Sequence, residues 1–413
     1  MDIKRGQLSD YFDGVGVKRL SAVDAEPKTS NQHEIGVTKD MREQFLGETK
    51  TVFPATYIWL GGDQDGFTAD GTATYYDARE NQYHRAAEWR LYYPPNPVTE
   101  TMSAGDTLFL AKQKDGTLYF IVAAAGSTSE SQLEWLFGLA PNDGRFVSRE
   151  VMTDGGEELD FGARFILDEL GIEFEEPEAD KLDTIIERFG LIFPKTVIFS
   201  DLARQTLPAI NAAEDPDFAL MAWLDHEEAM FRRLERRIVG ERLHEGFAGE
   251  DGADVDGFLK FSLGVQNRRK SRMGHSLENH LEAVFRATAL PYQRGAVTEH
   301  GHRPDFLFPN LAAYSAAAIP SNSVMMLGAK SSCKDRWRQV LSEAEKIPRK
   351  HLLTLEPGIS KQQTDQMESM SLQLVIPEQI HGSYASDQKS WLWSLAAFID
   401  AVRSNLAAPA NIS

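Results

Sequence analysis

The chain has 413 residues, of which 42% are hydrophobic and 25% charged, with a formal net charge of −19. That length predicts two domains, each able to bury a sizeable core, and the composition is that of a soluble globular protein. There is no apolar run of membrane-spanning length and no signal peptide pattern, and the single cysteine, Cys333, excludes internal disulfides and fits a reducing cytoplasm.

The acidity is uneven. Val151 to Lys260 holds 27 Asp/Glu against 11 Lys/Arg, so the rest of the chain is close to neutral. Net charge therefore does not exclude a polyanionic partner. The acidic middle reads as a solvated face, or as a surface that holds nucleic acid off until something moves.

The first region, to about Gly171, reads as strands. Ala55–Leu60, Thr72–Tyr76, Trp89–Tyr93, Thr107–Ala111 and Leu118–Ala123 are short and rich in aromatic or β-branched residues, with Gly, Asp, Asn and Pro between them. Such a series predicts a barrel or sandwich. Gly61–Gly71 lacks the acid spacing of a calcium loop and reads as a hairpin turn. Arg79, Arg85 and Arg90 interleave with Tyr83, Trp89 and Tyr92, a mixture that can grip phosphate and read base edges, or simply form an exposed barrel wall.

Ile172–Leu182 is acidic, contains Pro177 and reads as a linker. The expected division is 1–171, a linker 172–182, and a second domain 183–413. Asp183–Gly190 and Pro216–Leu243 read as helices, the second with Phe218, Met221, Ala222 and Leu224 on its apolar face. Gln266–Arg272 (QNRRKSR) is the strongest basic cluster and reads as a loop whose Arg268, Arg269, Lys270 and Arg272 can hold phosphates. A helix is expected over Ser276–Leu290, with Ser276 as its N-cap and Leu277, Leu281, Val284 and Phe285 facing a core. His300 and His302 do not complete a zinc set and read as loop.

Phe306–Phe308 and Val324–Gly328 read as neighbouring strands, which brings Asp305 close to Lys330. From Asp335 onward the spacing of Trp337, Val340, Leu341 and Ala344 predicts a helix that carries Glu343. Asp305 and Glu343 can hold a hard Mg²⁺ ion, and Lys330 can orient the attacking water or stabilise a phosphorane. That is the chemistry of a metal-dependent phosphodiesterase. Glu278 and Glu282, one turn apart, are candidates for a further acid near the metal. Cys333 reads as a small packed residue rather than a nucleophile. His351–Leu355 and Leu372–Ile376 read as strands, and Trp391–Val402 as an apolar helix. Helix, strands, helix, strand predicts an α/β sandwich with a mixed sheet.

NRRKSRMGHSLENHLEAVF, RPDFLFP, GAKSSCKDRWRQVLSEAEKI and HLLTLEPGIS together resemble the catalytic domain of the EcoRII restriction endonuclease family, in order and spacing. GVKRLSA, QHEIGV and TYYDAR resemble its effector domain. The resemblance implies a multidomain chain. Its N-terminal part would be a β-rich DNA-binding pseudobarrel, and its C-terminal part an α/β restriction-endonuclease-like (PD-(D/E)xK) domain. It further implies double-stranded DNA as substrate, Mg²⁺ as cofactor, a homodimer reading a palindrome, and a cognate methyltransferase that acts on the same site and need not bind the chain. Within the site it implies supporting roles for Tyr314 and Lys334, and base reading by Lys334, Asp335 and Arg336. Gly328 stands where many nucleases carry an acid two residues before the lysine, so Glu343 must supply it. In the effector block it implies DNA contacts from His33, Arg79, Arg85, Glu88 and Arg90. Trp89 stands in place of a lysine there, and Thr38 in place of an aromatic. The resemblance also implies that the N-terminal domain closes the catalytic cleft until a second site binds. Two rival readings are a DNA-binding regulator with a silent nuclease site and a repair nuclease without sequence preference.

Overall fold

A computed structural model describes residues 7–26, 33–62, 66–82, 84–151, 159–173, 179–207, 210–249, 252–316, 323–333 and 336–407. Its contacts divide it into two units: Met1–Pro177 with Pro357–Gln362, and Glu178–Glu356 with Gln363–Ser413.

The first unit is built on β1 (Phe12–Arg19), β2 (Glu34–Gly36), β3 (Thr51–Leu60), β4 (Phe67–Asp77), β5 (Trp89–Tyr92), β6 (Thr107–Gln113), β7 (Leu118–Ala123) and β8 (Val147–Glu150). They form one sheet in the order β2-β5-β4-β3-β7-β6-β1-β8. Only β3 and β7 pair in parallel. All five strands expected in this region are present, and β3 and β4 form the expected hairpin, with the Gly66 N–H on the Trp59 carbonyl at 2.9 Å. Alternate residues serve opposite faces, as a strand requires. Tyr57 and Trp59 join one core cluster, whereas Ile58 and Leu60 join another. Helices α1 (Thr128–Phe137) and α2 (Phe161–Glu169) supply Leu133, Phe137, Ile166 and Leu167 to the second cluster. Their N-termini are capped by Ser127 and Asp160, whose side chains accept from the Glu130 and Ala163 amides. Gly14 is required where it stands: a Cβ there would meet the Phe45 ring at 2.4 Å.

The second unit contains α3 (Ala179–Ile186), α4 (Thr196–Thr206), α5 (Pro216–Glu245), the short pair β9 (Ala248–Gly249) and β10 (Gly252–Ala253), and α6 (Val255–Ala287). The sheet β11 (Gln293–Arg294), β12 (Phe306–Phe308), β13 (Met325–Lys330), β14 (Lys350–Thr354) and β15 (Leu372–Val375) follows, with α7 (Leu311–Ala316), α8 (Trp337–Val340), α9 (Lys361–Ser369) and α10 (Leu395–Ala407). The sheet is mixed, as expected: β11, β12 and β13 are antiparallel, and β13, β14 and β15 parallel. Every residue of β14 and β15 is buried, as befits parallel strands covered on both faces. Phe285 of α6 meets Phe306 and Phe308 edge-on at 5.1 and 5.2 Å, locking helix to sheet. Asp217 of α5, 2% exposed, accepts from the amides of Leu395, Ala396 and Glu378 at 2.8, 2.8 and 3.2 Å. It thereby satisfies the start of α10, whose amides have no partner within the helix.

The helices correct five expectations. Gln266–Arg272 is not a loop: it lies inside α6, which begins at its N-cap Asp254. Ser276 is therefore buried mid-helix and caps nothing. Phe218 is half exposed; Met221 and Leu224 of the expected face are buried, but they are joined by Ala219, Leu220 and Trp223 rather than by Phe218. The helix expected to carry Glu343 ends after one turn at Val340, so Glu343 rides on the turn that follows. Likewise α10 starts at Leu395, because Trp393 is engaged in a bridge to Val375.

Candidate active site

Phe306 of β12 pairs with Leu327 of β13, which sets Asp305 against the end of β13. Its Oδ2 accepts from the Ala329 amide at 2.7 Å and from Lys330 Nζ at 2.9 Å. The sheet register thus fixes this pair. Gly328 leaves little room for an acid on the strand: a Cβ there would meet Val340 Cγ2 and Cγ1 at 3.1 and 3.2 Å, so Val340 would have to shift. The acid comes instead from Glu343, in the turn after α8, which is only 9% exposed. Its Oε2 is buried without a hydrogen-bond partner among the described residues. Burial, and then the charge of Asp305, push the Glu343 carboxyl up to about 7 against the opposing pull of Lys330 and Lys350. Two carboxylates therefore face one space and repel across it.

That arrangement fits a hard divalent cation. It offers oxygen donors and a buried carboxylate oxygen with nothing to bind. No cluster of three metal-binding side chains occurs among the described residues. Two carboxylates are enough for Mg²⁺, which keeps several waters and meets substrate phosphate.

Tyr314 of α7 is 2% exposed; its hydroxyl donates to Glu299 and accepts the Lys346 amide at 3.3 Å. Tyr314 thus braces the turn that carries Glu343. Glu299 lies in the segment read only as loop, and nothing in its local sequence marks it. Lys350, missed for the same reason, is 5% exposed and donates to the Ala344 carbonyl at 2.5 Å. Glu278 and Glu282 are held by Arg294, at 2.7 and 2.9 Å, and Glu282 also takes Arg286 and Tyr292 at 2.5 and 3.0 Å. Cys333 is buried as expected, its amide donating to Glu356 at 2.5 Å. Lys334 and Asp335 lie outside the described residues; Arg336 is exposed, its guanidinium on the Ser332 carbonyl at 3.1 Å.

The basic cluster divides. Arg268 and Lys270 are exposed, with the Arg268 guanidinium 4.2 Å from the Phe193 ring centroid. Arg269 is half-buried and bonds Glu235 at 2.6 Å. Arg272 corrects the expectation of a phosphate contact: it is 6% exposed and paired with Glu227, at 3.1 Å, and with Glu228. Beside it, Arg204 donates to His280 Nδ1 at 3.0 Å, so the imidazole is neutral and its Nε2–H donates to Glu227 at 2.9 Å. Burial, followed by the nearby arginines, lowers the His280 pKa, in agreement with that tautomer.

In the first unit, Arg90 bridges Glu34 at 2.7 Å and Glu88 at 2.6 Å, and Arg79 also reaches Glu88. Arg85 bonds Gln82 at 3.2 Å. Trp89 stacks on Tyr75 at 4.6 Å, and His33 meets Tyr93 edge-on at 5.4 Å. The structure thus brings Arg79, Glu88 and Arg90 into one chain and leaves Arg85 and His33 apart from it. Tyr83 lies outside the described residues.

The titration of Glu343 has a measurable consequence. Its folded value, about 7, lies above the ordinary 4.5. A raised carboxyl contributes stability below the unfolded value and loses it as pH rises through the folded one. A protonated Glu343 cannot ligate a cation. Added Mg²⁺ is therefore expected to raise the melting temperature at about pH 8.5 and to leave it nearly unchanged at about pH 5.5. Equal Mg²⁺ stabilisation at both values, read by differential scanning fluorimetry, would remove Glu343 from the ion.

Residues 231–399 match the family described as EcoRII C terminal. The chain is 40% identical over 186 residues to the type II restriction enzyme EcoRII of Escherichia coli, covering 45% of each. The chain thus spans less than half the length of that curated relative. Two solved structures are similar at lower identity. Metal-depleted Ecl18kI in complex with uncleaved, modified DNA is 16% identical with a TM-score of 0.45, over 57% of this chain and 87% of that one. The restriction endonuclease PspGI–substrate DNA complex is 13% identical with a TM-score of 0.43, over 52% of this chain and 93% of that one. No helix among the described residues is long and apolar enough to cross a membrane. Residues 231–399, most of which lie in the second unit, are thus similar to the EcoRII C-terminal family.

Proposed function

We propose that the chain is a type II restriction endonuclease, a site-specific deoxyribonuclease that makes Mg²⁺-dependent double-strand cuts at a short palindrome of the CCNGG or CCWGG kind. The observation that carries this reading is the contact of Lys330 with Asp305 at 2.9 Å beside the unpartnered carboxylate of Glu343. Asp305 and Glu343 would hold Mg²⁺, which when bound polarises the phosphoryl oxygens and acidifies a bound water. Lys330 presents its ammonium to the attacking water and to the charge developing on the phosphorane. In-line attack forms the new P–O bond and breaks the bond to O3′, leaving a 5′-phosphate and a 3′-hydroxyl. Tyr314 and Lys334 support the site. Arg336 and Asp335 read base edges with Lys334 in the major groove, and Arg268, Arg269 and Lys270 face phosphates.

A homodimer matches the two-fold symmetry of the palindrome. The first unit, as a pseudobarrel, is the effector domain, gripping a second copy of the site through His33, Arg79, Arg85, Glu88, Trp89 and Arg90. It restrains the catalytic domain until that copy binds. The chain acts in the cytoplasm, beside a methyltransferase that protects the same site.

The test is cleavage of plasmids bearing one or two CCWGG sites, with and without Mg²⁺, followed by sequencing of the ends. Cuts confined to the site, dependent on Mg²⁺ and faster with two sites, are expected. Cuts without sequence preference would replace the reading with a repair nuclease, and binding without cuts with a silent regulator. Equal rates on both plasmids would leave the first unit as a targeting module.

A further inference from the structure

Lys18 and Lys350 are the lysines that the described fold buries. Lys18 has a carboxylate partner, Asp24, at 2.6 Å. Lys350 has a backbone carbonyl instead. A buried ammonium needs a strong acceptor, and here the acceptor is the oxygen of Ala344 at 2.5 Å. Ala344 directly follows Glu343 and stands at φ 47, a left-handed conformation that residues other than glycine rarely adopt. Its carbonyl also takes the Ile347 amide at 2.9 Å, so Lys350 ties the middle of the turn to the first residue of β14. Tyr314 fastens the same turn two residues further on, through the Lys346 amide. Among the described residues no hydrogen bond holds the Glu343 carboxylate itself, so the turn sets where it points.

We propose that Lys350 is a positioning residue for phosphodiester cleavage: its bond to the Ala344 carbonyl sets the turn that aims Glu343 at the space shared with Asp305. The proposal rests on the reading of Asp305, Lys330 and Glu343 as the cleavage site. It differs from a packing role, because the lysine acts on one turn rather than on the core as a whole.

The experiment compares the full chain with Lys350→Met, which keeps an unbranched stem and removes the donor, and with Lys350→Gln, which keeps a neutral donor. A small misplacement of a reacting group lowers a rate by about 100-fold. Lys350→Met is expected to show that loss in single-turnover cleavage, with unchanged affinity for the same duplex in chelator. In metal-free, DNA-free protein its amide exchange should rise within 341–347 and not in β14 or β15. Lys350→Gln should recover most of both. Wild-type cleavage and wild-type exchange in Lys350→Met overturn the proposal. So does a loss in which melting temperature and duplex affinity fall in step with the rate, because that describes packing. If the unaltered chain does not cut, the cleavage-site reading fails, and exchange alone decides. Faster exchange confined to 341–347 then supports only the part of the proposal in which Lys350 sets this turn, and uniform or unchanged exchange overturns it.

Discussion

Lys330→Met is expected to lower cleavage by about a thousandfold or more, because a preorganised charge aimed at a developing oxyanion is among the largest single contributions to a rate. Asp305→Asn should behave alike for a different reason. It replaces the carboxylate that accepts the Ala329 amide and Lys330 Nζ with a neutral amide, and so removes one of the two carboxylates available to a cation. Neither change touches the core or a base-reading side chain, so affinity for a duplex carrying the site should hold in chelator, measured by gel shift. Glu343→Gln is the more informative partner. It removes a carboxylate that the fold keeps buried beside another negative charge, so the metal-free protein should gain stability above neutral pH as it loses activity. Wild-type cleavage by Lys330→Met would sink the nuclease assignment. Wild-type cleavage by Glu343→Gln alone would move the acid to Glu278 or Glu282, now bound to Arg294.

The second large effect falls on stability. Arg272→Met should destabilise the second unit by about 3–5 kcal/mol, the usual result of removing one partner of a buried ion pair. The melting temperature should fall by about 10 °C for a unit of this size. The cause is Glu227, 0% exposed, left facing a neutral imidazole and without its cation. Adding Glu227→Gln should restore part of the loss, because the double change leaves less uncompensated charge. DNA affinity of the folded fraction should not change. An unaltered melting curve together with weaker binding to all sequences would return Arg272 to a phosphate contact.

The contrast between these two groups shows what a sequence makes legible. Asp305 and Lys330 could be placed because each follows from local pattern: apolar runs that must be strands, closed by charges at their ends. Five of the eight strands of the first unit were legible from their apolar and β-branched runs, while β1, β2 and β8 were not expected. Arg272 was not. Seven polar residues in a row, Gln266 to Arg272, carry no apolar period, and their partners Glu227, Glu228 and Glu235 lie on a different helix. Pairing of that kind is a tertiary fact, and it turned a supposed loop into the middle of a 33-residue helix. Glu343 lies on the turn after α8 and not in the expected helix, since apolar spacing continues past Val340 while the helical backbone does not. Beyond the helix the turn passes through the left-handed Ala344, and alanine gives no warning of that conformation. Lys350 stayed hidden because a lysine at the head of an apolar strand ordinarily reads as its exposed end.

The carboxylate of Asp217 links α5 to the start of α10 across 178 positions of chain. Closing so long a loop is entropically unfavourable, and the contact gives nothing back until both ends meet. α10 is thus required to finish the second unit. Until α10 is made, the Asp217 carboxylate lacks the amides it meets in the folded unit, and the core stays incomplete over the 178 intervening positions.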